Sequence, residues 1–245
     1  MRKWIAIVGR EWRSYFFSPL AYVILSAFLL VNGIIFYAIL SYLAAPGAAK
    51  GQALILLFTN TYFWIFNLFV VPIIAMRLFP EERRSGTIEN LLTAPVSETE
   101  VVLGKWFGAL VFFLTLWAPT LLYVAFLRTQ TRIDIGPVAS GYLGVALLGG
   151  YFLAVGTFAS TLTKNQIVAA ILCFGMLIPI FSVGLLESML GGAGHDVVSY
   201  LNLWDHMDEL ARGVVDSRRA VYYLSATAFF LFLSTVSLAA KKENP

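Results

Sequence analysis

The stretch IGPVASGYLGVALLGGYFLAVGTFASTLT, residues 135–163, runs between Asp134 and Lys164 without one charged side chain. A helix rising 1.5 Å per residue needs about 20 such residues to cross roughly 30 Å of hydrocarbon. This stretch exceeds that length, and its apolar residues are continuous, unlike the alternating strands of about 10 residues that build a membrane barrel. Charge-free windows at 14–49, 51–76, 106–127, 165–186 and 220–240 also meet the length requirement. Six transmembrane helices and an all-α integral membrane fold are therefore expected. The whole chain agrees: of its 245 residues 59% are hydrophobic and 13% charged, against about a quarter charged in a soluble domain.

The spans are placed at about 19–43, 53–77, 101–127, 137–162, 166–186 and 220–240, within a single domain 1–245. The first window is too long for the core of a cleaved leader, so the first span is expected to stay. With the N-terminus inside, the inner segments hold Arg2, Lys3, Arg10, Arg13, Arg77, Arg83, Arg84, Lys105, Lys164, Lys241 and Lys242. That is 11 of the 17 basic residues, so the positive-inside rule places both termini in the cytoplasm. The pI near 9.0 is read as this topology signal, not as a nucleic-acid surface.

Ahead of the first span, residues 1–17 place Trp4, Ile5, Val8, Trp12, Tyr15 and Phe16 at helical spacing, with Lys3, Arg10 and Arg13 tending to the other side. The pattern predicts an interfacial helix, its rings at headgroup depth and its basic residues toward anionic membrane lipids. Ser97 and Glu100 match a capping box that starts span three, and Lys105 is expected to snorkel to the inner boundary. Gly104 with Gly108, and Ala146, Gly150 and Ala154, offer small-residue faces, read first as packing within the chain. In the outer segment 187–218, Leu203, Met207, Leu210 and Val214 share one face. They predict an amphipathic helix resting on or dipping into the outer leaflet.

Catalytic chemistry is not found. The chain has no zinc-binding His-Glu-x-x-His, no Gly-x-Ser-x-Gly elbow and no P-loop, because Gly104-Lys105 is followed by Trp106 and preceded by Thr99 where a glycine should stand. It is not expected to be an enzyme. Cys173 is alone and builds no disulfide. His195 and His206 are read as solvated loop residues ahead of a metal pair, and no metal is expected. Asn60, Trp64 and Asn67 fall at i, i+4 and i+7, a possible face for a translocation route, although hydrogen-bond glue between helices explains a single asparagine as well. Pro72, Pro119 and Pro179 predict three kinks.

The richest stretch is residues 78–100, between spans two and three. It reads Glu81-Glu82-Arg83-Arg84-Ser85-Gly86-Thr87-Ile88-Glu89-Asn90-Leu91-Leu92-Thr93-Ala94-Pro95-Val96, and Gly104-Lys105 follows. Pro80 with Glu81 and Glu82 is expected to start a short helix that Gly86 breaks, and Thr87 to cap a second helix that ends before Pro95. Ile88, Leu91 and Leu92 give that second helix a small apolar face beside Glu89, suited to a partner's groove.

This succession, with six spans and both termini inside, resembles the membrane subunits of ABC-2-type ABC transporters. The resemblance implies that Glu82, Gly86, Thr87, Ile88, Glu89, Leu91, Leu92 and Pro95 belong to a coupling element docked in a separate ATPase subunit, where ATP and Mg would be bound. No cofactor is then held by this chain. It also implies that the N-terminal helix, with Trp4, Arg10, Trp12 and Arg13, braces the ATPase, and that a second permease, identical or different, completes the route. The segment between spans five and six would form outer re-entrant helices. The run Asn202 to Arg218 is similar to the gliding-motility and nitrous-oxide-reductase-maturation subgroup, with Met207 in place of an aromatic residue. The expected function is a permease, an exporter, in a bacterial inner membrane. The alternative is a membrane anchor that transmits ATPase motion to an extracytoplasmic accessory protein or machine.

Overall fold

The computed structural model describes residues 3–45, 53–84, 86, 97–130, 134–187 and 195–243. Every regular element among them is a helix. Helix α1 is Lys3–Phe16, α2 Pro19–Leu43, α3 Ala53–Thr59, α4 Thr61–Ala75, α5 Pro80–Arg84, α6 Glu98–Trp117 and α7 Leu121–Gln130. Helix α8 is Ile135–Leu162, α9 Gln166–Glu187, α10 His195–Leu201, α11 Leu203–Ala211 and α12 Ser217–Glu243. Six helical stretches are long and apolar enough to cross a membrane, namely Pro19–Leu43, Thr61–Arg84, Glu98–Thr129, Ile135–Leu162, Gln166–Gly184 and Ser217–Lys241.

Two of the spans expected from the sequence are not single helices. The expected helix 53–77 breaks at Asn60, whose backbone is extended at φ −63 and ψ 153. Its side-chain oxygen accepts the Phe63 N–H at 2.8 Å while its amide donates to Leu56 and Leu57 carbonyls at 2.7 and 3.1 Å. One asparagine thus closes α3 and opens α4, a competition with the helix ladder that short polar side chains win. The third span bends through a 3-10 turn at Ala118–Thr120, where Pro119 has no N–H to give the ladder. Thr120 secures the turn, donating to the Trp117 carbonyl at 2.6 Å and meeting Tyr142 Oη at 2.7 Å. The start of this span carries the capping box, with Ser97 and Glu100 each bonding the other's backbone N–H.

Helix α8 is the hub. It packs on α12, α9, α11, α4, α6 and α3, and 67% of its most apolar window is buried, against 17% for α9. Small residues make this possible: a Cβ on Gly156 would lie 2.4 Å from Ala75 Cβ, and one on Gly149 would lie 2.3 Å from the Phe113 ring. The Ala146, Gly150, Ala154 face is used inside the chain, since Ala154 is buried and the Gly150 carbonyl accepts the Trp106 indole N–H at 2.9 Å.

Helices α10 and α11 lie between the fifth and sixth spans. Leu203, Met207 and Leu210 are buried, but against α8 and α3 instead of the outer leaflet. Ser140 Oγ secures the contact by donating to the Leu210 carbonyl at 2.6 Å. Val214 lies past the helix end and is exposed. The correction has a plain cause: an apolar stripe on a short helix is equally suited to lipid and to a neighbouring helix, and here the neighbour is already beside it.

Candidate functional site

Helix α5 is five residues long, and local chemistry shapes it. Proline begins it, Glu81 and Glu82 sit at its N-terminal end and Arg83 and Arg84 at its C-terminal end, each charge complementing the helix dipole. Gly86 follows at φ +69, the left-handed conformation that ends helices and that other residues adopt only with strain.

So short a helix is not stable alone, and four other elements hold it. Phe79 is fully buried, and its N–H donates to Ser160 Oγ of α8 at 3.1 Å. Arg77 grips Glu81 with two nitrogens at 2.8 and 3.0 Å and donates to Ser18 Oγ, at the start of α2, at 2.6 Å. Glu82 receives Arg10 of α1 at 2.6 Å and Lys105 of α6 at 3.1 Å. Arg83 Nη2 donates to the Thr161 carbonyl of α8 at 3.3 Å.

Lys105 is the centre of this network. Its side chain is 1% exposed, and it is also bonded to Glu11 at 2.9 Å. Its ammonium lies 5.4 Å from the centre of the Phe79 ring, an additional attraction. Arg10 reaches Glu11 as well, at 3.4 Å, so two cations and two carboxylates meet where α1, α5 and α6 converge. The expectation that Lys105 snorkels to the boundary is corrected: the ammonium is buried between two carboxylates, which compensate a charge that water does not reach. Arg10 likewise turns to Glu82 and not solely toward lipid, whereas Arg13 is exposed and makes no ion pair among the described residues.

Helix α1 is clamped to α6 along Ile7, Glu11 and Tyr15. A Cβ on Gly108 would lie 2.7 Å from Glu11 Cβ, so the missing side chain is what lets the two helices approach. Tyr15 stacks on Phe112 at 4.6 Å and donates to the Ile74 carbonyl at 3.1 Å. Its burial, reinforced by the Glu11 charge, pushes the hydroxyl far above the usual tyrosine range, so it stays a neutral donor. Trp12 is partly exposed and touches Phe16; Trp4 lies in α1. Sequence reasoning passes over Glu11, and takes Arg77 only as an inner charge and Glu81 only as an acid that starts the short helix. The signal for Glu11 was present, because an acid at i+4 from Ile7 and i−4 from Tyr15 falls in the buried stripe.

Of the other expected coupling residues, Thr87, Ile88, Glu89, Leu91, Leu92 and Pro95 lie outside the described residues, although Gly86 and Ser97 on either side are described. The Asn60, Trp64, Asn67 face does not form as one helical face, because the chain breaks at Asn60. Trp64 and Asn67 are buried in the chain's own core. Trp64 stacks on Trp204 at 5.1 Å, and Asn67 donates to the Phe63 carbonyl of its own helix at 2.7 Å. Asn60 borders an apolar groove of about 260 Å³ with Ile35, Ile39, Tyr42 and Tyr62.

His206 also departs from expectation, being buried, not solvated. Its Nε2 meets the Tyr200 carbonyl at 3.1 Å, and Tyr222 and Tyr223 stand edge-on to its ring. Burial, helped by the charge of Arg219, lowers its pKa to about 4. Among the described residues no three His, Cys, Asp or Glu groups are placed to hold a metal ion. Short polar bonds join the half-buried helix α5 to α1, α6 and α8.

Comparison with known proteins gives one family. The model described as ABC-2 family transporter protein matches residues 18–182, two thirds of the chain. No curated protein matches it.

Proposed function

The chain belongs to the ABC-2 transporter family, and from that premise we propose that it is the permease subunit of an ATP-driven exporter in a bacterial inner membrane, with both termini cytoplasmic. It pairs with a second permease and couples to separate ATPase subunits, which bind ATP and Mg. Residues 87–95 dock in the ATPase through Ile88, Leu91 and Leu92, with Glu89 at the rim. ATP-driven closure of the ATPases moves this segment, and the movement passes through α5 to the spans. The likeness of Asn202–Arg218 to the gliding-motility and nitrous-oxide-reductase-maturation permeases is part of this reading.

The observation that carries it is the buried junction of Glu82, Lys105, Glu11 and Arg10. A connecting loop with no mechanical duty has no need of a lysine 1% exposed between two carboxylates, since such a pair gives little net stability for its desolvation. It does fix geometry, as force transmission requires.

A second reading has its own support. Asn60 and Asn67 spend their amides on backbone carbonyls of their own span, and Trp64 is packed inside the chain, so none of the three is left to line a polar route. That favours the anchor that passes ATPase motion to an extracytoplasmic partner without a translocated substrate.

The test uses the single cysteine. Cys173 is buried, so Ile88→Cys supplies the one accessible thiol for cross-linking to a cysteine placed in the ATPase groove. Cross-linking that responds to ATP supports docking at this segment. Its absence across the groove, with a cross-link from an exposed Arg13→Cys instead, would move the contact elsewhere.

A further inference from the structure

The cations on this face are not all neutralised. Arg83 comes from α5, Lys164 from the turn between α8 and α9, and Lys241 from the end of α12. They converge on the C-terminal end of α8, where the Thr161 carbonyl accepts Lys241 Nζ at 2.6 Å and Arg83 Nη2 at 3.3 Å. That carbonyl and its helix dipole supply only about half an elementary negative charge. Lys241 is repelled by both Arg83 and Lys164, and none of the three makes an ion pair among the described residues. The contrast with Arg10 and Lys105, which meet two carboxylates, is direct.

Depth and surroundings say what balances them. Helix α8 ends at Leu162, α9 starts at Gln166 and the apolar part of α12 ends at Lys241, so the cluster sits where three spans leave the hydrocarbon. Leu162, Ile167 and Val168 flank Lys164 and are 40%, 69% and 42% exposed. Cations bordered by exposed aliphatic side chains match a ligand with a phosphate joined to acyl chains. A protein carboxylate or inorganic phosphate would leave the aliphatic rim unused.

We propose that Arg83, Lys164 and Lys241 bind the phosphate headgroup of one anionic phospholipid, whose chains lie along Leu162 and Ile167. The lipid relieves the repulsion among the three cations and ties α5 to the fourth and sixth spans. Because Arg83 lies in α5, this makes coupling depend on anionic lipid, a consequence that rests on the permease reading; the binding site itself does not.

The experiment measures retention of phosphatidylglycerol against phosphatidylcholine by the full chain in neutral detergent, using native mass spectrometry. The wild type should keep one phosphatidylglycerol that phosphatidylcholine and millimolar inorganic phosphate fail to displace. Lys164→Gln and Lys241→Gln should each weaken retention about fivefold, the factor a basic residue near an anionic surface is worth. Arg218→Gln, exposed at the opposite end of α12 from Lys241, should not. Equal retention by the Lys164→Gln, Lys241→Gln double variant, or equal binding of phosphatidylcholine, overturns the site. So does unchanged retention with lost capture of the ATPase in lipid-free detergent, which would assign the cluster to an acidic protein surface. If no ATPase is captured by the wild type while lysine-dependent retention persists, the permease reading fails and the lipid site stands.

Discussion

Replacing Lys105 by methionine removes the one buried cation that Glu11 and Glu82 share, while keeping a side chain of similar length. The carboxylate oxygens lie 2.9 and 3.1 Å from Nζ, so they are at most about 6 Å apart. At an effective dielectric near 20, two negative charges at that separation repel by about 3 kcal/mol. Arg10 still reaches both acids, but its side chain is 57% exposed, so it offsets only part of this. The expected loss, about 3 kcal/mol, is at the low end for breaking a buried pair. For a chain of 245 residues this lowers the thermal midpoint by about 6–12 °C. The assay is thermal unfolding of the purified chain, alongside ATPase activity of the assembled complex. Glu11→Gln with Glu82→Gln in the same background should restore most of the midpoint without restoring coupling, because the repulsion is gone and so is the link. A Lys105→Met midpoint within about 2 °C of wild type, with normal coupled activity, would refute the junction as a stressed mechanical element.

Four further outcomes are expected. The folded-state pKa of His206, about 4 against an ordinary 6.5, means that the unfolded chain takes up a proton the buried ring refuses. Stability is thus intact above pH 6.5 and falls by up to about 3 kcal/mol on the way to pH 4; His206→Phe should flatten that slope in pH-dependent unfolding. Gly156→Ala forces a methyl against Ala75 and should cost about 1–3 kcal/mol, seen as a lower midpoint; no change would mean that α8 and α4 are further apart than described. Asn60→Leu should cost about 1 kcal/mol by removing the cap of α4, while Asn67→Leu folds and transports normally. Loss of transport in a stably folded Asn67→Leu variant would restore the route reading. Glu89→Lys should abolish ATPase coupling while membrane insertion, followed by fractionation, is unchanged.

Composition and charge spacing carry the architecture because the bilayer imposes a length that the sequence must satisfy, and six apolar windows satisfy it. The breaks were less legible. Asn60 lies between Thr59 and Thr61 in a charge-free run, and nothing in that run distinguishes an asparagine that crosses to another helix from one that turns back on its own backbone. Pro119 marks a turn by lacking an N–H, but Pro72 and Pro179 lie inside continuous helices, so proline alone does not locate a break. At the candidate site, Gly86 and the acidic start of α5 follow from local rules. The pairing of Lys105 with Glu11, 94 positions away in the chain, does not, because it depends on how α1 lies across α6. His206 makes the same point on the opposite face. A histidine in a polar stretch reads as solvated until two tyrosines of the sixth span close over it.

The central claim is that this chain is driven by a separate ATPase through residues 87–95. Its most direct measurement is co-purification of the chain with a co-expressed candidate ABC ATPase, scored by the ATPase activity of the complex, for wild type and for Leu92→Asp. The account predicts stable capture by the wild type and loss of capture by Leu92→Asp, with equal amounts of both chains in the membrane. Capture and activity that are unchanged by Leu92→Asp, or a wild-type chain that recruits no ATPase, would contradict it.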